Sequence, residues 1–229
     1  MLEPFADEIW LSDGPVVSTA GFRYPTRMAV VRLSDASLFV WSPTSLSPDL
    51  MAEVDALGPV RYLVAPNALH HLFMGEWASA YPDAIRLAAP GLRRRRPDLA
   101  IHRELTDAPD RDWSDDLDQV VVRGNAITTE VVFFHRRSGT VLFTDLLQQF
   151  GRTWFRGWRA VVARVDLMTQ PEAEVPRKFR NAFLDRRVAR MAIRRILAWP
   201  ARNIVMAHGA PITQAAADYL PRRFRWLRV

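Results

Sequence analysis

Three short apolar runs in this chain each stop at side chains that can hold a metal ion. Residues 60–65 lead through Pro66 and Asn67 to His70 and His71, residues 140–144 end at Asp145, and residues 203–207 end at His208. Apolar runs of this length, bounded by turn residues, predict buried strands. Pro66 cannot donate to a sheet ladder and so ends the first of them. Ligands collect outside the carboxyl ends of strands in open α/β sheets, and ends that share one edge converge in space however distant they are in sequence. Three imidazoles and one carboxylate suit a four-coordinate zinc, or iron or manganese with added water. The expected metal ligands are therefore His70, His71, Asp145 and His208. Cysteine is absent, which removes disulfides, thiolate zinc sites and cysteine nucleophiles.

The remaining pattern is that of an α/β chain. Asn67 predicts an N-cap, which places His70 and His71 in the first turn of a helix, where the positive end of the helix dipole disfavours a protonated imidazole. Residues 28–33 and 37–41 predict a hairpin, preceded by a turn or loop from Gly14-Pro15 to Arg27. Ser47-Pro48 caps a helix that continues to residue 57. Strands at 119–122, 129–134 and 139–144 are joined too closely for parallel crossovers and are expected to be antiparallel. Residues 146–200 are helical in pattern and rich in aromatics. They include an amphipathic basic segment at 188–199, expected to pack on the core. A closing helix is expected over 213–220. No repeat or linker interrupts the 229 residues, so one domain is expected.

No run reaches the roughly 18 apolar residues that a membrane span needs. The acidic N-terminus lacks the basic-then-apolar order of a signal peptide, so the expected compartment is cytoplasmic. The net charge is +6, and arginine carries nearly all of the positive side, because Lys178 is the only lysine. That bias is what a GC-rich bacterial genome produces. Arginines cluster at 93–96 and between 177 and 195. Solvated faces account for such clusters in general; an acidic partner or an anionic membrane surface is the sharper reading. Nucleic acid ranks last, because the arginines do not interleave with aromatics on a recognisable module. No Gly-rich phosphate loop is present. His102 and His135 stand alone and read as structural.

Two motifs carry a resemblance. Val141-Leu-Phe-Thr-Asp145 and Val205-Met-Ala-His-Gly209, with an early hairpin, a helix and a strand running into a His-bearing turn, resemble the metallo-β-lactamase fold. That fold is an αββα sandwich, two mixed β-sheets flanked by helices. The chain is identified as a member of an uncharacterised branch, a domain of unknown function found in bacteria and photosynthetic organisms. The superfamily's first motif is His-x-His-x-Asp-His. Aligned so that its last histidine is His71, it puts Pro66 and Ala68 at the two leading histidines and His70 at the aspartate. Val122-Arg-Gly-Asn-Ala126 is similar to the Pro-Gly-His-Thr turn, with Asn125 in place of the histidine.

The resemblance implies one emptied metal subsite (Pro66, Ala68, Asn125) and one rewritten as His3Asp (His70, His71, Asp145, His208). The aspartate that activates the hydrolytic water in relatives is replaced here by His70. Two readings follow. One is a mononuclear metal-dependent hydrolase with a small-molecule substrate and one divalent metal, zinc before iron or manganese. The other is a catalytically inactive member without metal, a binding or scaffold protein whose aromatic and basic segment, 150–199, meets an anionic membrane surface or acidic partner. Asn67 and Glu76 lie close enough in sequence to support the ligands.

Overall fold

A long β-hairpin opens the molecule, which is a computed structural model describing residues 1–229. Strand β1 (Glu3–Ala6) lies beside β2 (Ile9–Thr19), and β2 pairs antiparallel with β3 (Phe22–Arg32). The turn expected at Gly14-Pro15 is therefore strand. A register shift between Gly14 and Val17 absorbs the proline, which sits at a bulge where no ladder hydrogen bond is required of it. The reversal comes later, at Ala20-Gly21.

The expected hairpin follows: β3 pairs antiparallel with β4 (Leu38–Trp41). Helix α1 (Pro48–Asp55) starts where Ser47 Oγ accepts the Leu50 N–H at 3.2 Å. It leads to β5 (Val60–Ala65), parallel to β4. Helix α2 (Met74–Ala80), β6 (Ile85–Ala88), the short α3 (Leu92–Arg95) and β7 (Arg103–Glu104) complete a sheet of seven strands in sequence order. The second sheet holds β8 (Leu117–Val122), β9 (Glu130–His135), β10 (Thr140–Gln148) and β11 (Asn203–His208), ordered β11-β10-β9-β8. Its first three strands are antiparallel, as their short connections require, and β11 joins parallel to β10. Between β10 and β11 lie α4 (Trp158–Val165), α5 (Arg177–Ala182) and α6 (Arg186–Leu197). Helix α7 (Ala216–Phe224) closes the fold.

Three apolar layers separate four layers of structure. Phe39, Tyr62, Phe133 and Val205 fill the space between the sheets. Leu50 and Val54 of α1 with Met74 and Trp77 of α2 cover the outer face of the larger sheet. Phe179, Ile193, Ile196 and Leu220 cover the smaller one. The result is the αββα sandwich of two mixed sheets expected from the resemblance. Helix α6 follows its sequence pattern: Ala189, Ala192, Ile193 and Ile196 are buried while its arginines face outward. No helix is long and apolar enough to cross a membrane.

Candidate metal centre

The helix expected at Asn67 does not form there; α2 begins at Met74. Asn67 is fully buried and acts in two directions. Its Oδ1 accepts the N–H groups of Leu69 and His70, as a cap would. Its amide nitrogen donates to Thr144 Oγ1 at 2.8 Å and to Asp145 Oδ2 at 2.7 Å. That cross-sheet anchoring, and the pull of the His70 ring toward Ser42 and Asp145, hold residues 67–70 in a turn instead of a helical one. The helix-dipole argument for His70 and His71 therefore lapses. Glu76 is exposed on α2.

Asp145 is placed by a bulge. Strand β10 pairs with β11 up to Phe143, loses register, and regains it at Gln148 opposite His208. The three amides this frees are collected by one buried carboxylate. Glu130 accepts from Thr144 N–H at 2.8 Å, Asp145 N–H at 2.9 Å and Leu146 N–H at 3.0 Å. Burial raises the Glu130 carboxyl to about 7; the nearby Asp145 charge pushes the same way, and the amide donors oppose both. Gln148 Nε2 donates to the other Asp145 oxygen at 3.0 Å.

His208 ends β11. Its Nδ1 donates to the Pro25 carbonyl at 2.8 Å, which points Nε2 at Asp145 Oδ1, 3.4 Å away. Gly209 follows at φ +154°, where a side-chain Cβ would lie 2.8 Å from Met206 Sδ, so the turn after His208 needs glycine. Arg27 on β3 bonds the carbonyls of Met206 and Gly209 and steadies the same strand end. His70 Nδ1 lies 2.9 Å from Ser42 Oγ, and its Nε2 is 3.3 Å from Asp145 Oδ2.

One donor atom each from His70, Asp145 and His208 therefore gathers within 4.8 Å. The side chains are only 5–7% exposed. The structure does not bring His71 into this group; it lines the adjoining cavity, and its Nδ1 is buried without a partner. Of the residues that the resemblance aligns with an emptied subsite, Pro66 gives its carbonyl to the Val131 N–H, and Asn125 donates to the Phe179 carbonyl at 2.9 Å. Both are ties in the scaffold.

The donor set fits a cation. A carbonyl only accepts, so the proton of a neutral His208 sits on Nδ1 and the Nε2 lone pair faces a carboxylate. Burial lowers the pKa of His70, against the pull of Asp145, and so favours a neutral ring. Burial also raises Asp145, but the two facing imidazoles outweigh it and hold the carboxyl well below its usual value. A buried carboxylate flanked by two imidazole nitrogens calls for a positive charge, which a bound cation, or a proton on a facing ring nitrogen, supplies. The two rings address different oxygens of the carboxylate, His70 Nε2 facing Oδ2 at 3.3 Å and His208 Nε2 facing Oδ1 at 3.4 Å, and one donor atom from each residue lies within the compass of a single ion.

Sequence reading missed Ser42, Glu130 and Gln148. For Glu130 a signal existed: a lone acid heading the apolar run Glu130-Val-Val-Phe-Phe134, since a charge in a buried strand must have partners. Ser42 and Gln148 gave none.

The lone histidines are structural. His102 Nδ1 accepts the Arg86 N–H at 2.9 Å, and His135 is buried with Nδ1 2.8 Å from Ser138 Oγ. Burial lowers the His135 pKa, with Asp116 and Asp7 opposing it. Its folded pKa lies below the unfolded value of about 6.5, so its contribution to stability is lost as pH falls through that value. Urea unfolding at pH 7 and pH 5, with chelator present, should show a smaller loss for His135→Gln than for the wild type. An equal loss would exclude His135 as a source. The arginine clusters divide. Arg93, Arg94 and Arg95 are exposed on α3. Arg180, Arg190 and Arg195 bind Glu174, the Leu227 carbonyl and Asp107 within the chain.

The family described as "Domain of unknown function (DUF4336)" matches residues 6–157. No curated protein sequence matches the chain. Among solved structures, a metallo-β-lactamase from Pontibacter korlensis superposes with a TM-score of 0.65 at 12% identity, covering 100% of this chain and 98% of its own. The metallo-β-lactamase FIM-1 from Pseudomonas aeruginosa, in a mono-zinc form, gives 0.64 at 13% identity, covering 100% and 96%. The metal-soaked Flv1 flavodiiron core from Synechocystis gives 0.65 at 12% identity, covering 100% of this chain and 60% of that one. At these identities the likeness establishes the metallo-β-lactamase fold.

Proposed function

This chain belongs to the DUF4336 family, and from that premise we propose that it is a mononuclear metal-dependent hydrolase whose metal is held by His70, Asp145 and His208. The observation that carries this reading is the facing of Asp145 by two imidazole Nε2 atoms, with both Nδ1 atoms committed elsewhere. Two histidines and one carboxylate leave coordination positions open, as catalytic sites do; the same set also suits iron, so zinc, iron(II) and manganese(II) are all candidates. When bound, the metal polarises a substrate carbonyl or phosphoryl, or lowers the pKa of a bound water toward about 7.

The protein's own contributions are positional. Ser42 and the Pro25 carbonyl fix the two rings, an outer layer of support of the kind that sets ligand basicity. Asn67 and Gln148 hold one carboxylate oxygen each. Phe150 and Tyr24 pack around the His208 ring, at 6.0 and 5.2 Å between centroids, and keep water from its far side. His71, on the cavity wall, belongs to the substrate space and not to the ligand set.

The test is metal dependence of hydrolysis across carboxylic and phosphate esters. Chelation should abolish turnover, and one equivalent of zinc, manganese or iron(II) should restore it. His208→Ala should lose both metal uptake and turnover, whereas His71→Ala should keep the metal. Turnover that survives chelation, or metal uptake indifferent to His208→Ala, would overturn the assignment. No turnover with any metal and ester would favour the non-catalytic reading.

A further inference from the structure

The metal centre is the floor of a cavity of about 1040 Å³, at the upper edge of the range of about 300–1,000 Å³ for small-molecule sites. Its mouth is apolar in an unusual way. Leu69 and Leu72 precede α2, Ile127 lies between β8 and β9, and Val161, Val162 and Val165 belong to α4. All six are exposed, from 37% to 60%, and all line this one cavity. Single exposed aliphatics are ordinary, but six from three separate segments around one opening form a binding surface.

Helix α4 explains how they come to be exposed. Of its residues only Ala163 is buried, while its three valines turn to the cavity. The helix therefore serves as a wall more than as core. The charged lining residues away from the floor, Asp166, Arg177 and Lys178, are near one another, with Lys178 Nζ 3.5 Å from Asp166. A compact polar substrate would leave the aliphatic wall facing water.

We infer that the substrate of this site carries a linear aliphatic chain, seated along Val161, Val162 and Val165, with its scissile polar head at the His70–Asp145–His208 floor. The inference rests on the hydrolase reading for its scissile bond. The chain-binding wall is independent of the metal.

Calorimetric titration of the full chain with n-alkyl carboxylates of six, eight, ten and twelve carbons, below their micelle concentrations, tests it. Affinity should rise about two- to four-fold per added methylene. The slope should be the same with one equivalent of zinc and with chelator; metal should shift the whole series by a constant factor. Val162→Asp and Val165→Asp, both on exposed positions, should flatten the slope. Met191→Asp, exposed on α6 outside the cavity, should leave it unchanged. Affinity independent of chain length, or a slope untouched by the α4 substitutions, would overturn the inference. A normal slope in protein that takes up no metal would overturn only the hydrolase reading.

Discussion

Asp145→Ala is expected to lower metal affinity by more than about 100-fold, beyond the 10–100-fold typical of losing a group that merely supports a ligand. Asp145 is the only anion in the donor set, and the two remaining imidazoles would face each other across a buried gap, their centroids 5.1 Å apart. The same substitution should destabilise the metal-free protein. It strips Gln148 Nε2 of its partner and Asn67 Nδ2 of one of two, inside a region almost closed to water. Each buried donor left short of its acceptor costs roughly 1–3 kcal/mol. Competition with a chromophoric chelator and urea unfolding measure the two effects. Wild-type affinity in the variant would refute the ligand assignment. Asp145→Asn should lose the metal as well, because it removes the only anion and its new amide nitrogen, in place of one carboxylate oxygen, faces the Asn67 or Gln148 donor that this oxygen accepted from.

Glu130→Ala should be the most damaging single change remote from the ligands. It leaves three buried N–H groups, those of Thr144, Asp145 and Leu146, without an acceptor. At about 1–3 kcal/mol for each unsatisfied group, the total for three is on the order of 3–9 kcal/mol, comparable to the whole stability of a marginal domain. Because those amides define the β10 bulge, Asp145 should also move and metal affinity fall. The pH dependence gives a second readout. Burial raises the folded-state pKa of Glu130 to about 7, above its ordinary 4.5. The folded state thus binds the extra proton between those values, so this contribution is complete below pH 4.5 and is lost as pH rises through about 7. Glu130→Gln cannot titrate and should remove that part of the slope. An unchanged slope would show that the carboxylate is ionised throughout.

Some of this was legible in the chain. Run length predicted the strands that carry the ligands, and short connections predicted the antiparallel order of β8, β9 and β10, because these depend on local spacing alone. The ends of β10 and β11 announced Asp145 and His208 as neighbours, because parallel strands of one sheet bring their carboxyl ends to one edge. Strand β5, which leads to His70 and His71, lies in the other sheet, so the single shared edge expected for all four residues does not exist, and the packing of the two sheets brings His70 to the same floor. Pro66, Ala68 and Asn125 stand where the resemblance places the histidines of a first subsite, and proline and alanine offer no side-chain donor there.

Tertiary structure alone decided the membership of the site. His70 and His71 are chemically identical neighbours, so only the direction of the chain between Asn67 and Met74 could separate them. That direction is set by bonds to Ser42, Thr144 and Asp145, remote in sequence. Gly14-Pro15 read as a turn because its turn chemistry is local; a bulge absorbed it because β3 supplied a partner strand. Glu130 was a visible acid in an apolar run, but which amides it holds followed from where β10 breaks register. The sequence determined which side chains could bind a metal and which could not. The sheet geometry and its cross-strand hydrogen bonds determined that His70, Asp145 and His208 share one floor, with His71 on the wall beside them.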